Sequence, residues 1–141
     1  MTTTIAAPTS VDATPATSRH PLGRAVLVSG AIAAVATTAI AAAAHAAGVP
    51  FEIDGEAIPL LGFAQLTVVG AVLGGLLAAV LNRWSSRAHA WFVGTAVTLT
   101  ALSCIPSIAF PPDVATKVVL VATHLVAALI IVPRIARQTV R

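Results

Sequence analysis

Four long runs with almost no charged side chains dominate this chain, and each is long enough to cross a lipid bilayer. A helix needs roughly 20 mostly apolar residues to span a hydrocarbon core about 30 Å thick. Lys117 is the one charged residue inside the runs, and its long side chain can reach the membrane surface. The sequence therefore predicts an all-α fold, a bundle of four transmembrane helices. The predicted spans are residues 25–47, 60–81, 90–110 and 114–132.

The composition excludes a water-soluble globule. Hydrophobic residues make up 57% of the 141 residues and charged residues only 9%, too little polar surface to cover a soluble domain. Residues 1–21 are rich in Thr, Ala, Pro and Ser, which predicts a disordered cytoplasmic tail. Residues 22–137 form the predicted transmembrane domain, and residues 138–141 a second cytoplasmic tail. Little chain is left for a soluble catalytic domain.

The charges predict the orientation of the bundle. Basic residues are retained on the cytoplasmic side of a membrane, and seven of the eight here flank the spans on one side. Most acidic residues lie in the connections on the other side. We therefore expect a multi-pass protein of the cytoplasmic (inner) membrane, with both termini in the cytoplasm. The seven basic residues are Arg19, Arg24, Arg83, Arg87, Arg134, Arg137 and Arg141.

A cleaved signal peptide is the alternative for the first run. Arg19 and Arg24 precede it, and the small residues around His45 imitate a cleavage site. Cleavage there would leave three spans. A signal core is usually only about 7 to 15 residues long, however, and this run is longer. The length favours a retained span.

Small residues in the second span predict a helix-packing face. Gly70 and Gly74 are four residues apart, Ala78 continues the same face, and Gly75 lies beside it. Missing side chains at this spacing let two helices approach closely. The first span is also built from small residues at a spacing of four, so we expect these two helices to touch. Homodimerisation through the same face is the alternative.

Four polar residues within the spans predict a small cavity. Gln65, Ser103, Cys104 and His124 fall in the outer half of three spans, with His124 somewhat deeper than Gln65 and Cys104. An ionisable residue at membrane depth, such as His124, is by default a candidate for a functional site. The alternative is a neutral imidazole that forms a hydrogen bond across helices to Gln65, Ser103 or a backbone carbonyl.

No residue pattern predicts catalysis, a cofactor or a metal. An apolar setting disfavours Cys104 as a thiolate nucleophile. Haem between His45 and His124 would need two ligands at one depth in the membrane. The depths of these residues differ by roughly 10 Å, at ~1.5 Å per residue. No known metal-ligand spacing is present. The arginines lack the interleaved aromatics of a nucleic-acid surface. We therefore expect no enzyme, no cofactor and no nucleic-acid partner.

Three segments resemble a known family. Residues 58–65, 102–106 and 123–127 are similar to segments of small four-span membrane proteins from actinobacteria whose function is unassigned. The similarity covers about residues 22–137. It implies the fold and the membrane placement, but no activity.

Two functions remain open from the sequence. One is a non-catalytic membrane component, either an accessory subunit or a binder of a small lipophilic molecule. The other is a small oligomeric transporter or channel with His124 in its path, since histidine changes charge near neutral pH. The expected partners are the lipid bilayer and either a second copy of the chain or another membrane protein.

Overall fold

A computed structural model describes residues 21–53 and 55–140, and in that part of the chain four helices account for most of the residues. Each helix has 22 to 26 residues and is apolar enough to cross a membrane, which confirms the predicted four-helix bundle. The predicted N-terminal tail lies outside the described residues, apart from Pro21. The helices are α1 (Pro21–Ala46), α2 (Leu60–Trp84), α3 (Ala88–Ala109) and α4 (Val114–Ala136).

Several helices extend beyond the apolar runs. α1 begins four residues before the predicted span, α2 continues three residues past its end, and α4 continues four residues past its end. The added residues include arginines, which are good helix formers, so the helix does not stop where the apolar run stops. Pro133 lies inside α4 without ending it, although proline supplies no backbone N–H to the helical ladder.

Local signals fix two of the helix ends. Gly48 follows α1 with a φ of +93°, a conformation that glycine adopts without the penalty of a Cβ. Asp113 precedes α4, and its carboxylate accepts hydrogen bonds from Thr116 N at 2.7 Å and from Thr116 Oγ1 at 3.1 Å. Asp113 is therefore an N-cap that satisfies one of the free amides at the start of α4.

A short hairpin joins α1 to α2. Its strands are β1 (Glu52–Ile53) and β2 (Glu56–Ala57), paired antiparallel. Phe51 precedes β1 with a φ of +48°, and its side chain is buried edge-on against Phe63 with ring centroids 5.5 Å apart. This contact fixes the hairpin to the bundle. We call the end of the bundle that carries the hairpin the hairpin end. The opposite end, where α1 begins and α4 finishes, is the terminus end.

The helices do not pack in simple sequence order. α1 packs on α2 and α4, and α3 packs on α4. α2 and α3 are joined by a turn of only three residues, yet they make little contact with each other. Their separation leaves a cleft with α4 behind it. One buried cluster, with Phe92 and Ile135, closes the terminus end, and another, with Phe51, Phe63 and Leu120, closes the hairpin end.

The contact between α1 and α2 uses one side of the predicted glycine face. A Cβ on Gly75 would overlap Val26 Cγ2 of α1, and Ala78 is fully buried. Gly70 and Gly74, in contrast, lie along the cleft instead of in this contact. A helix turns by about 100° per residue, so a face one position away from Gly74 points toward a different neighbour.

Residues 138–140 pack against the turn between α2 and α3. Asn82 Nδ2 donates a hydrogen bond to Gln138 O, and Asn82 Oδ1 accepts one from Val140 N, both at 2.9 Å. His89 N donates to Val140 O at 2.9 Å. His89 Nδ1 lies 2.9 Å from Ala136 O. The segment predicted as a short tail is therefore attached to the bundle at least as far as Val140.

Candidate functional site

The cleft between α2 and α3 contains a cavity of about 790 Å³. Its lining is mostly apolar, and α4 forms its back wall. Leu66 and Leu73 of α2 and Leu99 of α3 line the cavity and are also more than half exposed. The opening therefore lies along the side of the bundle, where lipid surrounds a transmembrane protein. Small-molecule sites typically occupy about 300–1,000 Å³, and this volume falls within that range.

Glycines on α2 create much of this space. Gly62, Gly70 and Gly74 line the cavity, and a Cβ built on Gly70 would meet no atom within 4 Å. A Cβ on Gly74 would make an ordinary contact with Ile135 Cδ1 at 3.7 Å. The groove of missing side chains that the sequence assigns to helix packing thus widens the cleft.

Polar side chains lie along the cavity wall, and His124 and Thr100 are near the middle of its length. At ~1.5 Å per residue, His124 lies about 15 Å from the start of α4 and Thr100 about 14 Å from the end of α3. Charged residues are absent from the described residues that line the cavity. Its polar groups are hydroxyls and one imidazole, from Thr37, Thr67, Thr95, Thr100, Ser103, Ser107, Thr123 and His124.

His124 is held by its own helix. Its Nδ1 lies 2.8 Å from the carbonyl oxygen of Leu120, which also accepts a hydrogen bond from the Thr123 hydroxyl at 2.8 Å. A carbonyl oxygen can only accept, so the bond requires the hydrogen on Nδ1. In the neutral ring, Nε2 then carries a lone pair. In residues 21–53 and 55–140, Nε2 has no hydrogen-bond partner, so the expected bond across helices is replaced by one within α4.

The structure brings together two of the four residues in the predicted polar layer. Ser103 and His124 both line the cavity. Gln65 is exposed on α2, and Cys104 is half-buried on α3, but neither is among the lining residues. Each is one position from a lining residue, and a turn of about 100° carries it to another side of its helix. Similar depth alone does not make two residues share a cavity.

A pair of threonines links α1 to α2 at the cavity wall. Thr37 Oγ1 and Thr67 Oγ1 are 3.0 Å apart, and Thr37 is almost fully buried. Both residues line the cavity. The sequence analysis did not single out this pair, because threonines are also frequent elsewhere in these spans and no spacing relates two residues 30 positions apart.

The described residues contain no group of three or more His, Cys, Asp and Glu side chains that could hold a metal ion. His45 lies at the exposed end of α1, where its ring stacks on Phe51 at a centroid distance of 6.3 Å and Nδ1 lies 3.3 Å from Val49 O. It does not line the cavity that contains His124.

Comparison with known proteins places the chain in a family. A profile of the family of unknown function DUF6069 matches residues 17–141, so the chain belongs to that family. The family has no assigned function, as the resemblance of the three segments implied. No curated protein and no solved structure gives a significant match.

Proposed function

We propose that this member of the DUF6069 family is a non-catalytic protein of the cytoplasmic membrane that binds a small lipophilic molecule between α2 and α3. The observation that carries the proposal is the cavity of about 790 Å³, whose lining is mostly apolar and includes several hydroxyls and the imidazole of His124. Its opening along the side of the bundle allows a ligand to arrive from the lipid phase. A ligand dissolved in the bilayer needs no path through water.

The cavity is too large to stay empty. Protein interiors are packed nearly as densely as organic crystals, and an unfilled space costs contact energy on every wall. In a bilayer, a molecule from the lipid phase fills such a space. Ordinary acyl chains fill a purely apolar cleft equally well, but they leave buried polar groups without partners. The imidazole of His124 in the middle of the wall favours a ligand that has a polar group at that depth.

The absence of a reaction is part of the proposal. His124 is the one ionisable side chain among the described residues that line the cavity. The described lining residues place no carboxylate or thiol beside this imidazole, so they do not supply the pairs of groups that covalent or acid–base mechanisms combine. Binding requires only shape and a few polar contacts.

A transporter or channel is the second candidate, and the position of His124 at mid-depth in a cleft favours it. A conducting path, however, needs polar groups or water along its whole length. The lining of this cavity is mostly apolar, and the aromatic residues Phe92 and Phe110 lie toward its two ends. In proteoliposomes, loss of solute or ion flux in His124→Ala, with folding intact, would favour transport over binding.

The proposal includes an orientation with both termini in the cytoplasm. Arg24, Arg83 and Arg134 are exposed at the terminus end, whereas Glu52 and Glu56 are exposed at the hairpin end. This distribution supports retention of the terminus end on the cytoplasmic side. In a Cys104→Ser background, a membrane-impermeant maleimide added to intact cells should label Gly55→Cys at the hairpin end. Labelling of Ser86→Cys in its place would reverse the orientation.

Filling the cavity tests the binding proposal. Gly70→Phe places a ring in the open space next to the cavity, and Gly94→Phe is the matched control. Gly94 lies in α3 outside the cavity, and a Cβ there also meets nothing within 4 Å. Protein purified in a mild detergent would be extracted with solvent, and the bound lipophiles would be identified by mass spectrometry.

We expect a lipophile retained by the unmodified protein and by Gly94→Phe, and at least a tenfold loss in Gly70→Phe, which corresponds to about 1.4 kcal/mol. Equal retention by all three proteins would contradict a site in the cleft. If instead another protein co-purifies and no small molecule is retained, the chain acts as an accessory subunit.

A further inference from the structure

The cavity wall offers more free hydrogen-bond acceptors than free donors. Three hydroxyls of α3 each donate to a carbonyl of the same helix: Thr100 to Ala96 O at 2.8 Å, Ser103 to Thr100 O at 2.7 Å and Ser107 to Ser103 O at 3.2 Å. Each hydroxyl has one hydrogen to donate, so these donors are in use. Their oxygen lone pairs can still accept a hydrogen bond from a polar partner.

On α1, α2 and α4, the hydroxyl hydrogens near His124 are also already used in hydrogen bonds. Thr123 donates to Leu120 O, and Thr67 donates to Phe63 O at 2.7 Å. The Thr37 hydroxyl has two available acceptors, Ala34 O at 3.2 Å and Thr67 Oγ1 at 3.0 Å, and its single hydrogen is used by either. His124 uses its Nδ1 hydrogen on Leu120 O. At mid-depth, the wall therefore accepts hydrogen bonds but has no hydrogen left to donate.

Thr95 is the exception among the described residues that line the cavity, because its hydroxyl makes no hydrogen bond within residues 21–53 and 55–140. It lies eight residues before Ser103 on α3, or about 12 Å along the helix. It is therefore closer to the terminus end than His124 and Ser103. At ~1.5 Å per residue it lies about 6 Å nearer the terminus end than His124, so the wall at the level of His124 still lacks a free donor.

We infer that the ligand is a neutral lipophile with a hydroxyl group, which donates its hydrogen to Nε2 of His124. This inference rests on the proposed function and specifies the class of ligand. Nε2 is the strongest free acceptor on the wall, and it lies on a side chain that its own backbone bond holds in place. A ligand with only acceptor groups, such as an ester or an ether, could not form a hydrogen bond with this wall, because its lone pairs would lie against the lone pairs of the wall.

Charge in the ligand is disfavoured by the same wall. A charged group at mid-depth in a membrane needs an opposite charge or several directed hydrogen bonds. None of the described lining residues is Asp, Glu, Lys or Arg. Phospholipids and fatty-acid anions therefore fit less well than a long-chain alcohol or a phenol with an apolar tail.

The test compares two ligands of nearly equal size that differ in one hydrogen-bond donor. Hexadecanol has a terminal hydroxyl, whereas hexadecyl fluoride has a fluorine of similar volume that cannot donate. Protein in detergent is equilibrated with an equimolar mixture and separated from free ligand by gel filtration. The bound molecules are then extracted and quantified by gas chromatography. Both ligands partition into the same micelles. The bound ratio, corrected for the ratio in empty micelles, therefore measures the preference of the site for one ligand over the other.

We expect the unmodified protein to prefer the alcohol by about two- to tenfold, the usual effect of one net hydrogen bond. His124→Leu should bring the ratio near one, and Gln65→Leu, exposed on α2 and outside the cavity, should leave the preference unchanged. Equal binding of both ligands by the unmodified protein would overturn the inference while leaving the proposed function standing. A preference that persists in His124→Leu would remove His124 as the acceptor and overturn it as well. Binding of neither ligand above the micelle background would contradict the proposed function itself.

Discussion

Replacing Gly75 by alanine tests which face of α2 packs against α1. The added Cβ would overlap Val26 Cγ2, so α1 and α2 must move apart or Val26 must change its rotamer. The same substitution at Gly70 meets nothing within 4 Å, and at Gly74 it makes an ordinary contact with Ile135. The three glycines lie within six residues of one helix, so differences in depth are small.

Two opposing effects set the expected magnitude. Alanine stabilises a helix interior relative to glycine by about 0.5–1 kcal/mol, because glycine loses more backbone freedom on folding. Overpacking a closely packed contact costs about 1–3 kcal/mol. Gly75→Ala should therefore lower the free energy of unfolding by roughly 1–2 kcal/mol. Gly74→Ala should leave it unchanged or raise it by up to about 1 kcal/mol.

Reversible unfolding in mixed micelles, in which the fraction of a denaturing detergent is increased and helix content is followed by circular dichroism, measures these differences. The variant Val26→Ala extends the experiment to a double-mutant cycle. Because it removes the methyl groups that meet the new Cβ, the double variant should be more stable than the sum of the single effects predicts, by about 1–3 kcal/mol.

Two results would refute the reasoning. If Gly74→Ala destabilises the protein more than Gly75→Ala, the face formed by Gly70 and Gly74 makes the tight helix contact. If the cycle shows no coupling between Gly75 and Val26, the loss at Gly75 does not arise from their contact. The first result would also argue against the cleft beside Gly70.

Substitutions at three further residues test other contacts in the same assay. Asp113→Ala should cost about 1 kcal/mol, because it removes the acceptor for Thr116 N, whereas Asp113→Asn should retain most of the stability. Asn82→Ala should cost about 1–3 kcal/mol through the loss of both hydrogen bonds to residues 138–140, and amide hydrogen exchange at Val140 should accelerate; unchanged exchange would contradict the attachment. Phe51→Ala should cost about 3–5 kcal/mol. Phe51→Gly should be no less stable than Phe51→Ala, because glycine relieves the positive φ, and a markedly less stable glycine variant would argue against it.

The sequence predicts the helices well because lipid imposes a simple rule on them. Every span needs about 20 apolar residues, so hydropathy and length locate all four helices within a few residues. Asp113 and Gly48 mark helix ends through local hydrogen bonding and local backbone geometry, which depend on few neighbours. The exact ends of α2 and α4 differ, because arginines extend a helix into the membrane surface without breaking it.

The rotation of each helix about its axis is harder to predict. A soluble helix shows its buried face as an apolar stripe, but these helices are apolar on every side, so lipid and protein contacts use the same residue types. The pair Gly70 and Gly74 therefore identifies a groove without showing what lies in it. Only the neighbouring residues in space, Val26 beside Gly75 and open space beside Gly70, separate the packed face from the cleft.

The rotation of each helix also decides which residues share the candidate site, and it links that site to the packing of α2. The count of residues along each span gives depth in the membrane, and it selects Ser103 and His124, which both line the cavity. It cannot show that Gln65 points elsewhere, because one residue changes the direction by about 100°. α2 uses Gly75 and Ala78 to approach α1, and this orientation leaves Gly70 and Gly74 along the cleft. Close packing on one side of α2 and the cavity on its other side thus follow from a single rotation of that helix, so a substitution that rotates α2 should alter stability and ligand retention together.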